Sequence, residues 1–390
     1  MNNNFFAFSA TETGYNHTRI NKVCEDASDF YDDEKMHICV VADGHGSDNY
    51  PRTEFGSKFA VDAAIKNVIE FVNTAEKSQV INDAENNFER MNQLAKSILR
   101  SWYESVEEDY NKKPFTEKEL EKVSDKYKNR YLSENIEERK VEKAYGCTLI
   151  IYVITDDYSF GMQIGDGKCV LIDENGQFLE PIPWDDDCQL NVTTSICDDD
   201  AIDEFRFYIS DKMPTAVFIG SDGIDDSYAN KEELYALYRS ILKIFIEYGD
   251  EVGKSEIREY LPVLTKRGSG DDVSMGLIIN QKRAKSISSV FEMQIEVFKL
   301  TEELQDKKRK KDIVTEKALR LSSRIKKWKD IVEMPSEEQR KEVVIEEERN
   351  LSIQIQEIEK KLVNLSENQK NINFVDEADI HKSNKQQEEA

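Results

Sequence analysis

Acidic residues and glycines stand at the ends of four apolar stretches, and this arrangement constrains the fold more than any other feature of the sequence. The clearest case is the run 38–42, Ile-Cys-Val-Val-Ala, which is followed at once by Asp43-Gly44-His45-Gly46. β-Branched residues in such a run predict a buried strand, and the glycines allow a sharp turn at its end. Similar boundaries occur at Gly165-Asp166-Gly167, Ser221-Asp222-Gly223 and Asp271-Asp272. Because a charge beside a buried segment is costly unless it is paired or metal-bound, the pattern predicts a shared cation.

Each acidic motif also has a simpler interpretation when it is taken alone. Asp-Gly after a strand is the usual composition of a turn, and Asp166 could stand at a hairpin tip. Glu25-Asp26 could be a solvated acidic pair, and His45 could be a buried histidine with no chemical role. The functional interpretation rests on all of these acids lying at the ends of apolar segments.

The pattern of apolar runs and turns predicts an α+β fold with hairpins. Helices are expected at 55–72, 82–110, from the capping box at Thr116, and from Asn230 to Gly249. A tight turn at 155–157 makes the middle of the sheet antiparallel. The predicted strands lie at 4–9, 36–42, 147–154, 158–164, 168–173, 215–220 and 273–279.

Charge and composition exclude several classes of function. The 390-residue chain has a formal net charge of −25, which disfavours binding to nucleic acid or to an anionic membrane. No apolar run approaches the roughly 18 residues that would span a bilayer, and the amino terminus has no basic region before an apolar one. The six cysteines form no C-x-x-C pair, which favours reduced, packed thiols and a cytoplasmic location.

The composition changes near Gln281, beyond which the chain is almost free of glycine and rich in Glu, Lys, Gln and Leu. Apolar residues recur there in alternating steps of four and three, which predicts a helical coiled-coil arm over 282–366. Pro335 should break this helix, and the arm then either folds back as a hairpin, pairs with a second copy or binds a partner helix. The polar segment 367–390 is expected to be a disordered tail.

Six blocks of sequence together resemble the metal-dependent Ser/Thr protein phosphatase family, type 2C. The resemblance covers about residues 5–280 and leaves the arm unexplained. Within the family, Gly14-Tyr15-Asn16-His17 followed by Cys24-Glu25-Asp26 resembles the opening motif of a bacterial branch. The blocks, in family order, are Glu25-Asp26-Ala27, 41–46, Gly146-Cys147-Thr148, Gly165-Asp166-Gly167, 221–226 and 271–274.

This resemblance implies a four-layer α-β-β-α sandwich of two antiparallel sheets flanked by helices, over residues 1–281. The segment at about 82–145 is longer and more helical than a plain connection needs, which indicates a helical insertion. The resemblance also implies two Mg²⁺ or Mn²⁺ ions, with a weaker third ion in several members. Hard oxygen ligands without thiolates suit these cations. Carried over by position, the metal residues are Glu25, Asp43, the Gly44 carbonyl, Asp222 and Asp271 for the pair, and Asp166 with Asp226 for the third ion.

The implied activity is hydrolysis of phosphoserine and phosphothreonine in proteins that a Ser/Thr kinase has phosphorylated. A hydroxide bridging the two ions attacks phosphorus, Asp26 orients it, and His45 protonates the leaving oxygen as general acid. Asn21 stands where many members have a phosphate-binding arginine, so Arg19, His17 and Lys22 are the candidates here. Asp272 stands where the family commonly has Asn, which adds negative charge beside Asp271.

Two other functions remain open at this point. One is a catalytically silent phosphatase-like scaffold that binds phosphoproteins through its arm, which the missing arginine favours and the complete carboxylate set disfavours. The other is a two-metal phosphodiesterase or nuclease, which the acidic composition disfavours.

Overall fold

The computed structural model describes residues 4–74, 80, 84–135, 138–185, 188, 193–328 and 335–388, with the backbone alone from residue 367. The chain divides into two compact units, Met1–Ser288 and Ser289–Ala390. The division falls seven residues beyond the predicted boundary, because the short helix that begins at Gln281 belongs to the first unit.

The described part of the first unit contains two five-stranded sheets in which every strand pair is antiparallel. The strand order is β1-β10-β9-β6-β7 in the first sheet and β2-β3-β4-β5-β8 in the second. The strands are β1 (Phe5–Glu12), β2 (Ala27–Asp32), β3 (Met36–Ala42), β4 (Leu149–Thr155), β5 (Ser159–Ile164), β6 (Lys168–Ile172), β7 (Phe178–Leu179), β8 (Arg206–Ser210), β9 (Ala216–Gly220) and β10 (Val273–Asn280).

Helices surround the sheets and form the second unit. In the first unit they are α1 (Tyr15–Ile20), α2 (Thr53–Thr74), α3 (Ala84–Lys112), α4 (Asp125–Tyr131), α5 (Ala201–Glu204), α6 (Asp222–Asp225), α7 (Lys231–Tyr248), α8 (Asp250–Arg267) and α9 (Gln281–Ser286), with a 3₁₀ turn at Val141–Tyr145. The arm consists of α10 (Ser288–Trp328) and α11 (Pro335–Glu388).

One apolar core lies between the two sheets. Alternate side chains of a strand point to opposite faces, so only every second residue of β3 enters this core. Cys39 and Val41 of β3 belong to a buried cluster together with Val217 and Ile219 of β9 in the other sheet. The sheets are therefore packed face to face.

Helices cover the outer face of each sheet. Ile38 of β3 belongs to a second buried cluster with Ala64 of α2 and Ile98 of α3. On the other sheet, Phe218 of β9 stacks on Tyr238 of α7 with ring centroids 4.3 Å apart. The predicted four-layer sandwich is confirmed.

All seven predicted strands are present, and the structure adds three that the sequence did not predict. β2 and β8 lie at the two opposite edges of the second sheet, and β7 lies at one edge of the first. Their side chains are mostly half-buried or exposed, so they lack the continuous apolar run by which buried strands are recognised.

One predicted helix start is confirmed and one is wrong. Asn230 caps α7, since its side-chain oxygen accepts a hydrogen bond from the Glu233 amide at 3.1 Å. Thr116 and Glu119 also make the two hydrogen bonds of a capping box, but they close a turn and the helix begins only at Asp125. The second carboxylate oxygen of Glu119 accepts from Arg52, which fixes this turn to α2.

The predicted insertion forms α3, α4 and the 3₁₀ turn, and it packs closely on α2. Trp102 of α3 is buried, and its indole N–H donates to the Gly56 carbonyl at 3.0 Å. A Cβ on Gly56 would lie 1.8 Å from the carbonyl oxygen of Tyr145. Only glycine at this position lets α2 approach the 3₁₀ turn.

The two helices of the arm run antiparallel, as in the predicted hairpin. Thr315 donates to Glu348 at 2.8 Å, and further along Arg324 pairs with Glu337 at 3.0 Å. Val314, Ala318 and Val344 form a buried apolar cluster between the helices. The predicted break lies at Pro335, the first residue of α11; residues 329–334 lie outside the described part of the chain.

The structure has helix where the composition predicts a disordered tail. α11 continues through 367–388, a segment rich in Glu, Gln, Lys and Asn. Glu, Gln and Lys favour helix, so a helix started upstream can extend through them at little cost.

Among the described residues, none of the helices combines the length and the apolar composition that spanning a bilayer requires.

Candidate metal centre and active site

The predicted acidic residues lie where strands of the two sheets begin and end. Asp43 follows β3, Asp222 begins α6 just after β9, and Asp271 lies two residues before β10. The register pairs Gly220, at the end of β9, with Met275, near the start of β10. Antiparallel pairing therefore brings Asp222 and Asp271 to the same edge.

The carboxylates at this edge interact strongly with one another. Asp43 and Asp222 are hydrogen-bonded through their side chains, and burial together with the nearby charges of Asp26 and Asp222 raises the pKa of Asp43 well above its usual range. Burial also raises the pKa of Asp222 to about 6, and the charges of Asp166 and Asp271 act in the same direction. The group needs added positive charge to be fully ionised at neutral pH.

Asp26 lies deepest in this cluster and has the donor chemistry of a metal site. It is 4% exposed, and burial followed by the charge of Asp272 raises its pKa to about 8. Hydrogen bonds with the hydroxyls of Ser221 and Ser274 oppose that rise, while the Oδ2 atom has no hydrogen-bond partner in the described part of the chain. A buried, unpartnered carboxylate oxygen among other carboxylates fits a hard cation such as Mg²⁺ or Mn²⁺.

The loop that carries Asp43 is held by main-chain hydrogen bonds. The Asp43 amide donates to the Thr148 hydroxyl at 3.1 Å, and the Thr148 amide donates to the Asp43 carbonyl at 2.8 Å. A Cβ on Gly44 would lie 2.4 Å from the carbonyl oxygen of Glu25. Glycine is therefore required where this loop crosses the segment that bears Glu25 and Asp26.

Glu25 is buried, but its strongest partners differ from those of Asp43. Lys22 Nζ lies 2.7 Å from Glu25 Oε2 and also donates to the Gly46 carbonyl at 3.1 Å. Burial raises the pKa of Glu25, while Lys22 and His17 act to lower it. Glu25 thus lies against the Asp43 loop through Gly44 and Gly46, with a lysine already on one of its oxygens.

Hydrogen bonds on both oxygens hold the negative charge that Asp272 adds beside Asp271. Its Oδ1 accepts from the Gly14 amide at 2.6 Å and lies 3.0 Å from His17 Nδ1, and its Oδ2 accepts from the Glu25 amide at 2.6 Å. The hydrogen bond to His17 and those from the two amides hold the pKa of Asp272 below its usual value, against the effect of burial. The charge of Asp272 is thus stabilised locally, and it also raises the pKa of Asp26.

The three phosphate-binding candidates occupy different surroundings. His17 and Lys22 are engaged by Asp272 and Glu25. Arg19 lies on the exposed face of α1, with its guanidinium carbon 5.9 Å from the centre of the Tyr15 ring. Of the three candidates, Arg19 therefore has the most accessible cationic group.

His45 follows Asp43 by two residues and is half-buried, and the charged groups that act on its ring are Asp198 and Lys143. Its ring meets the edge of Tyr50 with centroids 4.7 Å apart, and its Cδ2 would lie 2.6 Å from a Cβ on Gly146. Burial lowers the pKa of His45 to about 4, partly opposed by the charge of Asp198. The imidazole of the free protein is therefore neutral at neutral pH.

The residues predicted for a third ion also come together. Asp226 and Asp166 each raise the pKa of Asp222, and Asp226 also acts on Asp166. Asp225, which the sequence analysis did not single out, has a pKa raised by burial to about 7, and its buried Oδ1 has no hydrogen-bond partner among the described residues. Lys168 lies 4.0 Å from its other oxygen. The sequence signal that could have indicated Asp225 is its place in the acidic block 221–226, directly before Asp226.

Arg52, which the sequence analysis did not single out, holds the helical insertion beside the loop that carries His45. Its buried guanidinium donates to Asp109 at 3.1 Å, to Glu119 at 2.9 Å and to the Tyr145 hydroxyl at 2.7 Å. These hydrogen bonds join the helical insertion to the loop that follows His45. No local motif indicates such a cluster, because its acids are more than 50 residues away in sequence.

Comparisons with known proteins agree with this geometry. A family model described as "Protein phosphatase 2C" matches residues 13–262. Comparison with curated proteins gives no match.

Several solved structures are similar to this chain. The serine/threonine phosphatase Stp1 from Staphylococcus aureus is 18% identical, with 70% of this chain and 94% of that chain covered and a TM-score of 0.44. PppA, described as a key regulatory component of T6SS in Pseudomonas aeruginosa, is 16% identical, with 70% and 97% covered and a TM-score of 0.42. The catalytic domain of PstP, in complex with 2 manganese ions, is 12% identical, with 70% and 97% covered and a TM-score of 0.42.

The raised pKa of Asp26 predicts how the stability of the metal-free protein depends on pH. The folded state keeps a proton up to about pH 8, whereas the unfolded chain releases it near the ordinary value of 3.8. Wild-type stability should therefore fall as the pH rises through this interval. Asp26→Asn has no such proton to lose. With a chelator present to remove metal, the free energy of unfolding of Asp26→Asn minus that of wild type should therefore increase by roughly 1 kcal/mol for each unit by which the pH rises.

Urea denaturation at several pH values between about 4 and 8 measures this difference. Asp211→Asn, which neutralises an exposed acid, is the control and should parallel wild type. Parallel curves for Asp26→Asn and wild type would show that Asp26 does not hold the proton.

Proposed function

The chain belongs to the protein phosphatase 2C family, a family of serine/threonine protein phosphatases, and we propose that it hydrolyses phosphoserine and phosphothreonine in proteins. The observation that carries this proposal is the convergence of Asp26, Asp43 and Asp222 in one cluster, in which Asp26 is buried and the other two are half-buried. Their strongest interactions are with other acids and with hydroxyls, so the cluster demands divalent cations. Such cations would also offset the charge of a phosphoryl group.

The proposed metal residues are those that the sequence indicated. Asp43 and the Gly44 carbonyl, with Glu25, Asp222 and Asp271, would hold two Mg²⁺ or Mn²⁺ ions, and Asp166 with Asp226 would hold a weaker third. When bound, the ions would supply positive charge that acidifies water and withdraws charge from the phosphoryl oxygens. The choice between Mg²⁺ and Mn²⁺ depends on availability, because both accept this donor set.

Asp26 and Arg19 have distinct proposed roles toward the reactants. Hydrogen bonds with Ser221 and Ser274 fix the Asp26 carboxylate, and its free Oδ2 can accept a hydrogen bond from the attacking water. Arg19 is proposed to bind the substrate phosphate, since its guanidinium is exposed and forked. His17 and Lys22 would contribute positive charge from the positions in which Asp272 and Glu25 hold them.

His45 is proposed as the general acid. Tyr50 fixes the ring from one side, and burial keeps the imidazole neutral before substrate binds. A phosphate dianion beside the ring favours its charged form, so the proton that the leaving oxygen needs would be taken up with the substrate.

The proposed reaction indicates the substrates, and the cysteines indicate the location. The substrates would be phosphoproteins produced by a Ser/Thr kinase. The six cysteines are all free, and five of them are buried, which supports a reducing compartment such as the cytoplasm.

The main prediction is phosphate release from a phosphothreonine peptide in the presence of Mn²⁺. Asp43→Asn and Asp222→Asn should each reduce this release at least about a hundredfold, because each removes a negative charge that holds a cation. Malachite-green detection of phosphate measures it, and Asp211→Asn should match wild type. A folded wild-type protein that binds phosphopeptide without releasing phosphate would favour the silent scaffold instead. Cleavage of a phosphodiester alone would favour the nuclease alternative.

A second prediction separates the role of His45 from metal binding. His45→Ala should slow hydrolysis of a phosphothreonine peptide by roughly 10²-fold or more, but should slow hydrolysis of p-nitrophenyl phosphate far less. The nitrophenolate leaves without protonation, whereas the threonine alkoxide does not. Steady-state rates on both substrates measure the difference, and equal losses would remove His45 from the general-acid role.

A third prediction concerns the proposed homodimer formed through the arm. Several of the apolar residues predicted to form the coiled coil are buried or half-buried between α10 and α11 of the same chain. Ile313 and Val343 nevertheless line a groove between these helices and are 63% and 69% exposed. We expect the full chain to be a dimer and a chain ending at Ser288, which keeps the whole first unit, to be a monomer, as measured by multi-angle light scattering. Monomers in both cases would refute dimerisation through the arm.

A further inference from the structure

Asp272 connects three separate points of the chain beside the proposed metal centre. It lies just before β10 and is 3% exposed. Its two oxygens interact with the Gly14 amide, the Glu25 amide and His17 Nδ1, at 2.6, 2.6 and 3.0 Å. These partners precede Asp272 by about 250 residues, so the carboxylate joins the start of the domain to its last strand.

A carboxylate is the side chain that this position requires. Both of its oxygens accept hydrogen bonds, and both main-chain partners are N–H donors. An amide at residue 272 would have one oxygen and one NH₂ group. In one orientation the NH₂ group would face the Glu25 amide, and in the other it would face the Gly14 amide. Either way a buried donor loses its acceptor.

The hydrogen bond between Asp272 and His17 orients the His17 ring toward Glu25. Because Nδ1 lies 3.0 Å from Asp272, Nε2 lies on the opposite side of the ring, 3.8 Å from Glu25 Oε2. Lys22 Nζ approaches that same oxygen at 2.7 Å and donates to the Gly46 carbonyl at 3.1 Å. The main chain of Glu25 is thus fixed by Asp272, and its carboxylate is bordered by His17 and Lys22.

His17, Glu25 and Asp272 could also be read as a separate cation site, since one ligand atom from each lies within 4.8 Å of the others. The hydrogen bonding argues against this reading. The oxygens of Asp272 already accept from two amides, and a lysine ammonium occupies the Glu25 oxygen nearest His17. The arrangement satisfies its charges internally, unlike the cluster around Asp43.

We propose that His17 and Asp272 act as one positioning pair, which fixes the backbone and the carboxylate of Glu25 so that Glu25 can bind a divalent cation together with the Asp43 loop. This inference rests on the proposed function, because Glu25 is a proposed metal ligand there. Neither residue of the pair touches substrate in this account. Both act through Glu25, as residues behind a metal ligand commonly do.

The test is the Mn²⁺ affinity of the full chain carrying Asp272→Asn, measured directly by titration calorimetry. Loss of a residue that supports a metal ligand typically weakens metal binding about 10- to 100-fold, and we expect a loss in this range. At saturating Mn²⁺, kcat on a phosphothreonine peptide should return to within about twofold of wild type, with KM for the peptide unchanged. A residue needed only for folding would not give that recovery.

His17→Gln keeps the experiment decisive if Asp272→Asn folds poorly. Gln can still donate one hydrogen bond to Asp272 but cannot place a second nitrogen near Glu25, so Mn²⁺ affinity should fall while the thermal unfolding temperature without metal stays near that of wild type. If His17 and Asp272 act as one pair, the variant that carries both Asp272→Asn and His17→Gln should bind Mn²⁺ as tightly as whichever single variant has the lower affinity. Thr18→Ala is the matched control. It removes a 3.0 Å hydrogen bond to the Gly14 carbonyl on the same helix without touching Glu25, and it should not change the affinity.

Wild-type Mn²⁺ affinity in folded Asp272→Asn or His17→Gln would overturn the positioning pair, and so would independent, additive losses in the double variant. Failure of the wild-type chain itself to bind Mn²⁺ would instead overturn the proposed function. The two failures are therefore distinguishable.

Discussion

Repulsion between buried carboxylates is the interaction on which the rest of this structure depends. Burial raises the pKa of Asp26, Asp43 and Asp222, and the charges of Asp26 and Asp222 raise that of Asp43 further. Such a group opposes folding when it is ionised and unpaired. The surrounding sandwich must therefore be stable enough to hold these acids together, and a divalent cation is the ligand that would relieve the repulsion.

The scaffold achieves this through strands whose ends meet at one edge and through loops fixed by the main chain. Gly44 lets two acidic segments cross at a distance that no other residue permits, and Thr148 holds the main chain of Asp43 from both sides. Ser57 of α2 donates to the Glu25 carbonyl at 2.6 Å, which fixes the second segment. Backbone groups therefore hold the two acidic segments in place at the site.

The sequence predicted the parts of the fold whose signals are local. The run that precedes Asp43 is apolar and β-branched, and the glycines after it mark the turn, so strand, turn and acid could be placed together. The order of the six blocks then indicated the family and the sandwich. Edge strands such as β2 and β8 could not be predicted in this way, since one side of each is polar and its pairing depends on a partner distant in sequence.

The same limit applies to the site. Asp43, Asp222 and Asp271 were predicted because each adjoins a buried strand. The partners of Asp272 and Arg52 lie tens to hundreds of residues away, and no spacing rule connects them. Thr116 shows the converse, because its capping-box hydrogen bonds form as the local sequence predicts, yet no helix follows them until Asp125. Local chemistry was thus predictable, whereas charge pairing between remote segments required the three-dimensional structure.

The central claim is that these acids converge to hold divalent cations, and anomalous diffraction from crystals of the full chain soaked in Mn²⁺ tests it most directly. The account predicts at least two anomalous peaks beside Asp43, with Asp222 and Asp271 as further ligands. Soaked crystals with ordered side chains at this edge and no manganese peak among them would contradict it.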